Sequence, residues 1–339
     1  MKNKNKSLLD YFYESKPSQF PGNKDYVSIF RAFKQFMDDE VHKEVKSMTT
    51  RLDNTIYLND HSSTHVQMVM NKVSSILSDC TYLSAYECFI LLVAIEIHDA
   101  GHIYNGRDGH EKHGRNLLEK LGVSTIEKRI IGDIAKSHSG KNDPIGSLER
   151  KTSISGHDVH NRELAAFLRF ADEMADENSR ASNYLLENGL IPEESRLYHS
   201  FSASLYNFQP DREDRHTIQM NFSLSSEQVC STFKKGDTEI YLLDEIYTRT
   251  LKTFQESLYY NRFVPFEYQF HTINVTIDFL NEGPEPFFDR ISYRIEEKGY
   301  PSLSIDNIFE YCANQLERHS NKLTGEYVCN CVNSKNEKE

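Results

Sequence analysis

His98 and Asp99 set two metal-binding side chains next to each other at the end of an apolar run, Phe89-Ile-Leu-Leu-Val-Ala-Ile-Glu-Ile-His98-Asp99-Ala-Gly101-His102. Polar groups on an otherwise buried element are costly to desolvate unless something pairs with them, and a divalent cation is the natural partner. Two more candidate ligands come from other segments. His65 lies in Asp60-His-Ser-Ser-Thr-His65-Val-Gln-Met-Val69, and Asp172 lies on an apolar face beside Leu168 and Ala171. Two imidazoles and two carboxylates suit a borderline or hard ion with positions left open for water and substrate. Their charge nearly balances the cation, which makes burying the group tolerable. His61 competes with His65 for the first place, four residues earlier. A helix starting near Ser62 leaves His61 in or before the cap.

Cations near such a site would hold phosphate oxygens. Lys136 and Lys141 bracket His138 in Ala135-Lys-Ser-His-Ser-Gly-Lys141, a polar, Gly-containing stretch suited to anion contact. Arg162, Arg169 and Arg180 lie around the Asp172 segment, and Arg180 can equally pair with Asp176 or Glu177. Arg51 precedes the first His element. Lys136, Lys141, Arg162 and Arg180 are the candidates for substrate phosphate.

The order His … His-Asp … Asp on helical segments resembles the HD superfamily of metal-dependent phosphohydrolases. The resemblance runs from Asn59 to Arg180, roughly a third of the chain. It implies His65, His98, Asp99 and Asp172 as metal ligands, a metal-activated water as nucleophile, and a phosphoester or phosphoanhydride of a small nucleotide as substrate, either a dNTP or a signalling nucleotide. A cation lowers the pKa of its water and polarises a phosphoryl oxygen, so no protein nucleophile is required. Asp99 would also orient that water. His110, in His110-Glu-Lys-His-Gly114, resembles the family element in which a His precedes Gly by four residues, and His138 follows where a further ligand is expected; together they would hold a second ion, as in HD phosphodiesterases. Gly101-His102 also resembles the deoxynucleoside triphosphate triphosphohydrolases, where histidines near a single metal contact phosphates and act as acid. Their Pro-Phe-Gly-His segment is replaced here by Ile103-Tyr-Asn-Gly106.

The resemblance thus implies Asp99, His102, His110 and His138 as the catalytic set and one or two ions of Mn, Mg, Fe, Co, Ni or Zn as cofactor, since a mixed N/O set accepts any of them. Two alternatives remain open. One is a phosphodiesterase or nuclease acting on cyclic or short single-stranded oligonucleotides. The other is a nucleotide-sensing regulatory module. The similarity to HD domains of bacterial conflict systems implies an antiviral role and a partner protein of a defence system.

The elements that must position these residues follow from periodicity. Apolar residues recur at helical spacing from Tyr26 to Met48, and a second helix runs from Ser62 or Ser63 to Leu77. Ser84-Ala-Tyr-Glu87 is a capping box opening the helix that ends at the doublet. Further helices are expected over 110–121, 125–137 and 163–176, with a Gly/Asn/Pro-rich loop over 139–146. Beyond residue 195, 216–224 and 266–279 alternate like strands around a long helix over 239–260. The expected fold is mostly α: a flexible arm over 1–24, an HD-type helical metal-binding domain over 25–190, a small α+β appendage over 195–332 for oligomerisation or for binding substrate or a partner, and a disordered tail over 333–339.

Composition narrows the partners. With 38% hydrophobic and 27% charged residues the 339-residue chain is ordinary for a globular protein. The longest uncharged apolar run, 88–95, is too short for a bilayer, and the basic N-terminus lacks a following apolar stretch, so a cytoplasmic protein with no membrane partner is expected. Six cysteines without framework spacing read as reduced thiols. At a net charge of −12 the broad basic footprint by which long duplex nucleic acid is bound is not evident, and no such partner is expected. A small nucleotide remains compatible, because a metal and a few local bases override the global field. The alternating strands of the appendage also lead us to expect a homo-oligomer.

Overall fold

Helices make up most of the structure, with an α+β region toward the C-terminus. The computed structural model describes residues 6–49, 57, 59, 61–105, 110–281, 283, 285–298 and 306–336; Arg51 lies outside them. The chain divides into two units: Met1–Arg51 with Asp60–Ala175 and Arg262–Pro265, and Leu52–Asn59 with Asp176–Asn261 and Phe266–Glu339.

The first unit opens with α1 (Leu8–Tyr13), capped by Ser7, and α2 (Tyr26–Phe36), which passes through a π turn at Met37–Val41 into α3 (His42–Thr49). The flexible arm expected over 1–24 is corrected here for its described part. Leu8, Phe12 and Phe20 are fully or almost fully buried, and Phe12 packs edge-on against Phe30 at 5.4 Å between centroids. A polar-looking segment is held down by three apolar anchors, each contributing about 1.5–3 kcal/mol of burial.

Next come α4 (Ser63–Leu77), capped by Ser62, and α5 (Ala85–Ile97), opened by the reciprocal Ser84–Glu87 capping box. Every residue of α5 is buried, so this helix is the axis of the unit. The short helices α6 (His102–Asn105) and α7 (His110–His113) follow, then a 3₁₀ stretch at Gly114–Lys120 where one longer helix is expected from the sequence. Two glycines explain the break. A Cβ on Gly101 would lie 1.9 Å from the His110 carbonyl oxygen, and one on Gly114 would lie 2.3 Å from that of Ile97. The chain is thereby pressed against the end of α5 at both points.

α8 (Thr125–Lys136) starts at a second capping box, Ser124–Glu127. The other oxygen of Glu127 accepts from the hydroxyls of Tyr26 (2.5 Å) and Tyr86 (2.9 Å), tying α2 and α5 to α8. Burial pushes the Glu127 carboxyl up, but these donors and Ser124 hold it below the usual range. A hairpin of β1 (Thr152–Ile154) and β2 (His157–Val159) turns through Ser155 and Gly156, both at positive φ, and leads into α9 (Asn161–Met174). α4 packs on α9, and α5 on α8.

The second unit has α10 (Asn183–Glu187), α11 (Glu193–Ser204), β3 (Leu205–Pro210), β4 (Thr217–Leu224), α12 (Ser226–Cys230), the hairpin β5 (Thr232–Lys235) and β6 (Thr238–Tyr241), α13 (Leu242–Asn261), β7 (Thr272–Phe279), β8 (Ile291–Glu296), α14 (Ile308–Tyr311) and α15 (Gly325–Asn336). Its main sheet runs β3-β4-β7-β8, with β4 and β7 parallel and the outer pairs antiparallel. The long helix α13 lies in the crossover that a parallel pair demands. Ile218, Met220, Phe222 and Leu224 pair with Ile273, Val275, Ile277 and Phe279, all buried, which fixes the register. The disordered tail expected from residue 333 is corrected up to Asn336, which α15 includes; the last three residues lie outside the described ones.

Candidate metal centre

His65 stands on the first turn of α4, His98 caps the C-terminus of α5, Asp99 follows it, and Asp172 stands on the last turn of α9. Three helices therefore deliver four side chains to one place. His65 and His98 are sealed from solvent, Asp99 is buried, and Asp172 is half-buried, so one edge of the group stays open. His65 Nε2 lies 3.0 Å from Asp172 Oδ1, 3.5 Å from Asp99 Oδ2 and 3.3 Å from His98 Nε2; His98 Nε2 lies 3.4 Å from Asp99 Oδ2 and 3.6 Å from Asp172 Oδ1. The four donor atoms fall within 4.8 Å of one another.

The donor chemistry fits a cation. His98 Nδ1 donates to the Ile95 carbonyl at 2.8 Å, so a neutral ring turns its Nε2 lone pair toward the group. Lone pairs of imidazole and carboxylate gathered at this range repel unless a positive charge stands among them. Without a metal the proton takes that place. Against its burial, the two aspartates raise the His98 pKa well above the usual imidazole value. Against theirs, the charge and N–H groups of the facing rings hold both carboxyls well below the usual carboxylate range: His98, His61, His110 and His138 for Asp99, and His65 and His98 for Asp172. Both are thus in the ionised form that a metal takes.

Asp99 has a second face. Its Oδ1 lies 3.3 Å from His110 Nε2 and 3.4 Å from His138 Nε2, and these two nitrogens are 3.4 Å apart. His138 repeats the device used at His98. It follows the end of α8 and donates Nδ1 to the carbonyl three residues back, Ala135, at 2.7 Å. Asp99, His110 and His138 can therefore hold a cation of their own. The press of Gly101 and Gly114 against this region is what brings His110 to Asp99.

His61 and His102 complete the surroundings. His61 precedes the cap of α4, as its spacing implies, yet its Nδ1 still reaches Asp99 Oδ2 at 2.7 Å. His102 is buried, with its ring 4.9 Å from that of His61, and it stacks on His110 at 4.2 Å and 9°. His61, Asp99 and His102 form a third group with ligand spacing.

The candidate phosphate contacts separate. Lys136 and Lys141 are exposed and line a cavity of about 650 Å³, which Ser137 and Ser139, the neighbours of His138, also line. Arg162 donates its Nε to the Leu148 carbonyl at 2.8 Å, a structural contact. Arg180 belongs to the second unit, buried, where its charge and that of Arg249 act on Asp176. Sequence reasoning passed over the cavity itself, whose lining residues Thr152 and Asn161 belong to an unforeseen hairpin and the first turn of α9.

Among the described residues no helix is long and apolar enough to cross a membrane. Compared with known families, the chain matches the model described as HD-CE over residues 55–248, more than half its length and including every candidate ligand of the centre. No curated protein matches the chain.

Proposed function

The chain belongs to the HD-CE family, and from that premise we propose that it is a metal-dependent phosphohydrolase acting on a small nucleotide. The observation that carries this reading is the two-sided Asp99, whose Oδ2 faces His61, His65 and His98 while Oδ1 faces His110 and His138. His65, His98, Asp99 and Asp172 would hold one divalent ion, and Asp99 with His110 and His138 a second. Bound there, such a cation supplies Lewis acidity toward a phosphoryl oxygen and toward water.

The chain's own residues do the remainder. Helix-end carbonyls fix the rings of His98 and His138, so neither donor atom has to reorganise during the reaction. Asp99 orients whatever lies between the two histidine sets. His102, stacked on His110, is placed to hold a proton for the leaving oxygen. Lys136 and Lys141 offer positive charge to substrate phosphates on the side of His138.

The test is chromatographic product analysis against a panel of ribo- and deoxynucleotides, cyclic nucleotides and short single-stranded oligonucleotides, with Mn²⁺ or Mg²⁺. Release of phosphate, pyrophosphate or triphosphate from a mononucleotide is the expected result. Cleavage of the cyclic or oligomeric substrates alone would reassign the protein as a phosphodiesterase. Stoichiometric metal with no product from any of them would make it a sensing module.

A further inference from the structure

Cys230 and Cys329 bring two thiols together in the α+β unit. Cys230 ends α12, Cys329 lies in the first half of α15, and the two helices pack on each other. The Cys230 thiol lies 3.9 Å from the Cys329 carbonyl oxygen and 3.6 Å from Asn333 Oδ1. From the other end of the same amide, Asn333 Nδ2 donates to Cys329 Sγ at 3.4 Å. One side-chain amide is thus bracketed by both sulfurs. The Cys329 thiol is also a hydrogen-bond partner of the Cys230 thiol; burial first, and then this contact, push Cys230 up to about 11. Both cysteines are reduced, Cys230 half-buried and Cys329 6% exposed. The other thiols are engaged elsewhere or sealed. Cys80 and Cys312 donate to the carbonyls of Lys6 and Arg294, each at 3.5 Å, Cys88 is buried, and Cys331 meets Tyr327.

We propose that Cys230 and Cys329 are an oxidation site, joined into a disulfide by a small organic disulfide such as oxidised glutathione. Cys230, the more exposed thiol, attacks one sulfur of the oxidant as its thiolate, forms a mixed disulfide and expels the other sulfur as a thiolate. The Cys329 thiolate then attacks the Cys230 sulfur, which closes the protein disulfide and expels the second oxidant thiolate. The two cysteines lose two electrons, the oxidant gains them, and the two cysteine protons end on its two thiols. The second step needs no diffusional encounter, because the resolving thiol already touches the first. Cys230 is held as a thiol, so proximity rather than thiolate reactivity selects this pair. The bond closes a loop over β5, β6, α13, β7, β8 and α14, most of the second unit, and pins α15 to it.

The experiment treats the folded full chain with oxidised glutathione at mildly alkaline pH, well below its melting temperature. Remaining thiols are alkylated and the peptides mapped by mass spectrometry without reduction. A Cys230–Cys329 cross-linked peptide, two hydrogens lighter than its separate halves, should be the main product. Cys329→Ser should instead leave Cys230 with a lasting glutathione adduct, whereas Cys331→Ser should form the cross-link as the wild type does. Oxidation should raise the wild-type melting temperature by several degrees, reversibly with dithiothreitol. It should leave Cys230→Ser unmoved, a half-buried position that keeps the test open even if Cys329→Ser folds poorly. A lasting adduct on wild-type Cys230 without the cross-link overturns the proposal. So does a bond from Cys230 to Cys331, no modification at all, or a cross-link that forms only where the chain unfolds. None of these readouts depends on nucleotide hydrolysis, so the oxidation site and the proposed activity stand or fall separately.

Discussion

Asp172 and Asp176 stand four residues apart, the first in the helical unit and the second in the α+β unit. Both are largely removed from solvent, and both have pKa values below the usual carboxylate range. Their partners differ. Asp176 meets the guanidinium of Arg249 at 2.5 Å and the hydroxyl of Ser202 at 2.5 Å, with the charge of Arg180 adding to the field. Among the described residues Asp172 pairs with imidazoles, His65 and His98. A guanidinium is a permanent cation, so Asp176 is complete as the chain folds. An imidazole gives up its proton to take a metal, so the positive charge facing Asp172 is exchangeable, a ring proton or a cation in its place. What separates a ligand from a structural carboxylate here is neither residue type nor burial but whether its partner carries a fixed charge.

The largest test of that contrast is Asp99→Ala. Asp99 serves both sets of histidines, so its removal should strip the bound metal measured by plasma emission spectrometry. Nucleotide turnover should fall on the order of 10³-fold or more. Wild-type activity in this variant would falsify the whole assignment of the centre. Asp172→Asn and Asp176→Asn sharpen the comparison directly. The first should lose metal and activity while melting like the metal-free wild type. The second should keep its metal and melt lower. Equal metal loss in both would erase the distinction.

His138→Ala addresses the two faces of Asp99. The Oδ2 face has a second carboxylate and helices of 13 to 15 residues behind it, whereas the Oδ1 face has Asp99 alone as its carboxylate in the group and takes His110 from a four-residue helix. The second ion should be the weaker one. The variant should lose one metal of two and about 10–100-fold in rate. Unchanged stoichiometry with slowed chemistry would make His138 a proton carrier instead. Metal removal gives a smaller effect. A chelator should lower the wild-type melting temperature by several degrees, because an ion that binds only the folded state stabilises it by mass action, and should leave Asp99→Ala unmoved.

The sequence made much of this legible because the centre is built from helices whose signals are local. The Ser84–Glu87 capping box placed α5, and the apolar run required that His98 and Asp99 be buried with a partner. It was blind where long-range contact decides. Nothing local in 110–121 says that Gly114 must touch Ile97, so one regular helix was expected where the chain tightens. The capping position of His61 was readable, but its 2.7 Å contact with Asp99, an element away, was not. The helix expected from Glu239 begins only at Leu242, because Glu239 and Ile240 pair in the β5–β6 hairpin. Here the signal was local: the two-residue Gly236-Asp237 turn, with Gly236 at positive φ. Arg180 carried both readings, phosphate contact and partner of Asp176, and only the fold put it beside that carboxylate.

The smallest expected effect lies in the α+β unit and concerns acid stability. Burial alone would raise the Asp176 pKa, but Arg249, Arg180 and Ser202 outweigh it, so the folded value lies below the unfolded one near 3.9. A depressed carboxylate contributes stability that is present above its unfolded pKa and is lost as pH falls through its folded pKa. The wild type should therefore lose stability below about pH 4 more steeply than Asp176→Asn, which has no proton to take up there. At pH 7 the variant should be less stable by about 2 kcal/mol, the scale of hydrogen bonds to a charged group. As the pH drops toward 2 the two denaturation curves should converge, since protonated Asp176 resembles the amide. Curves that stay parallel from pH 7 to 2 would mean that Arg249 finds another acceptor, and the fixed-charge account of Asp176 would then be wrong.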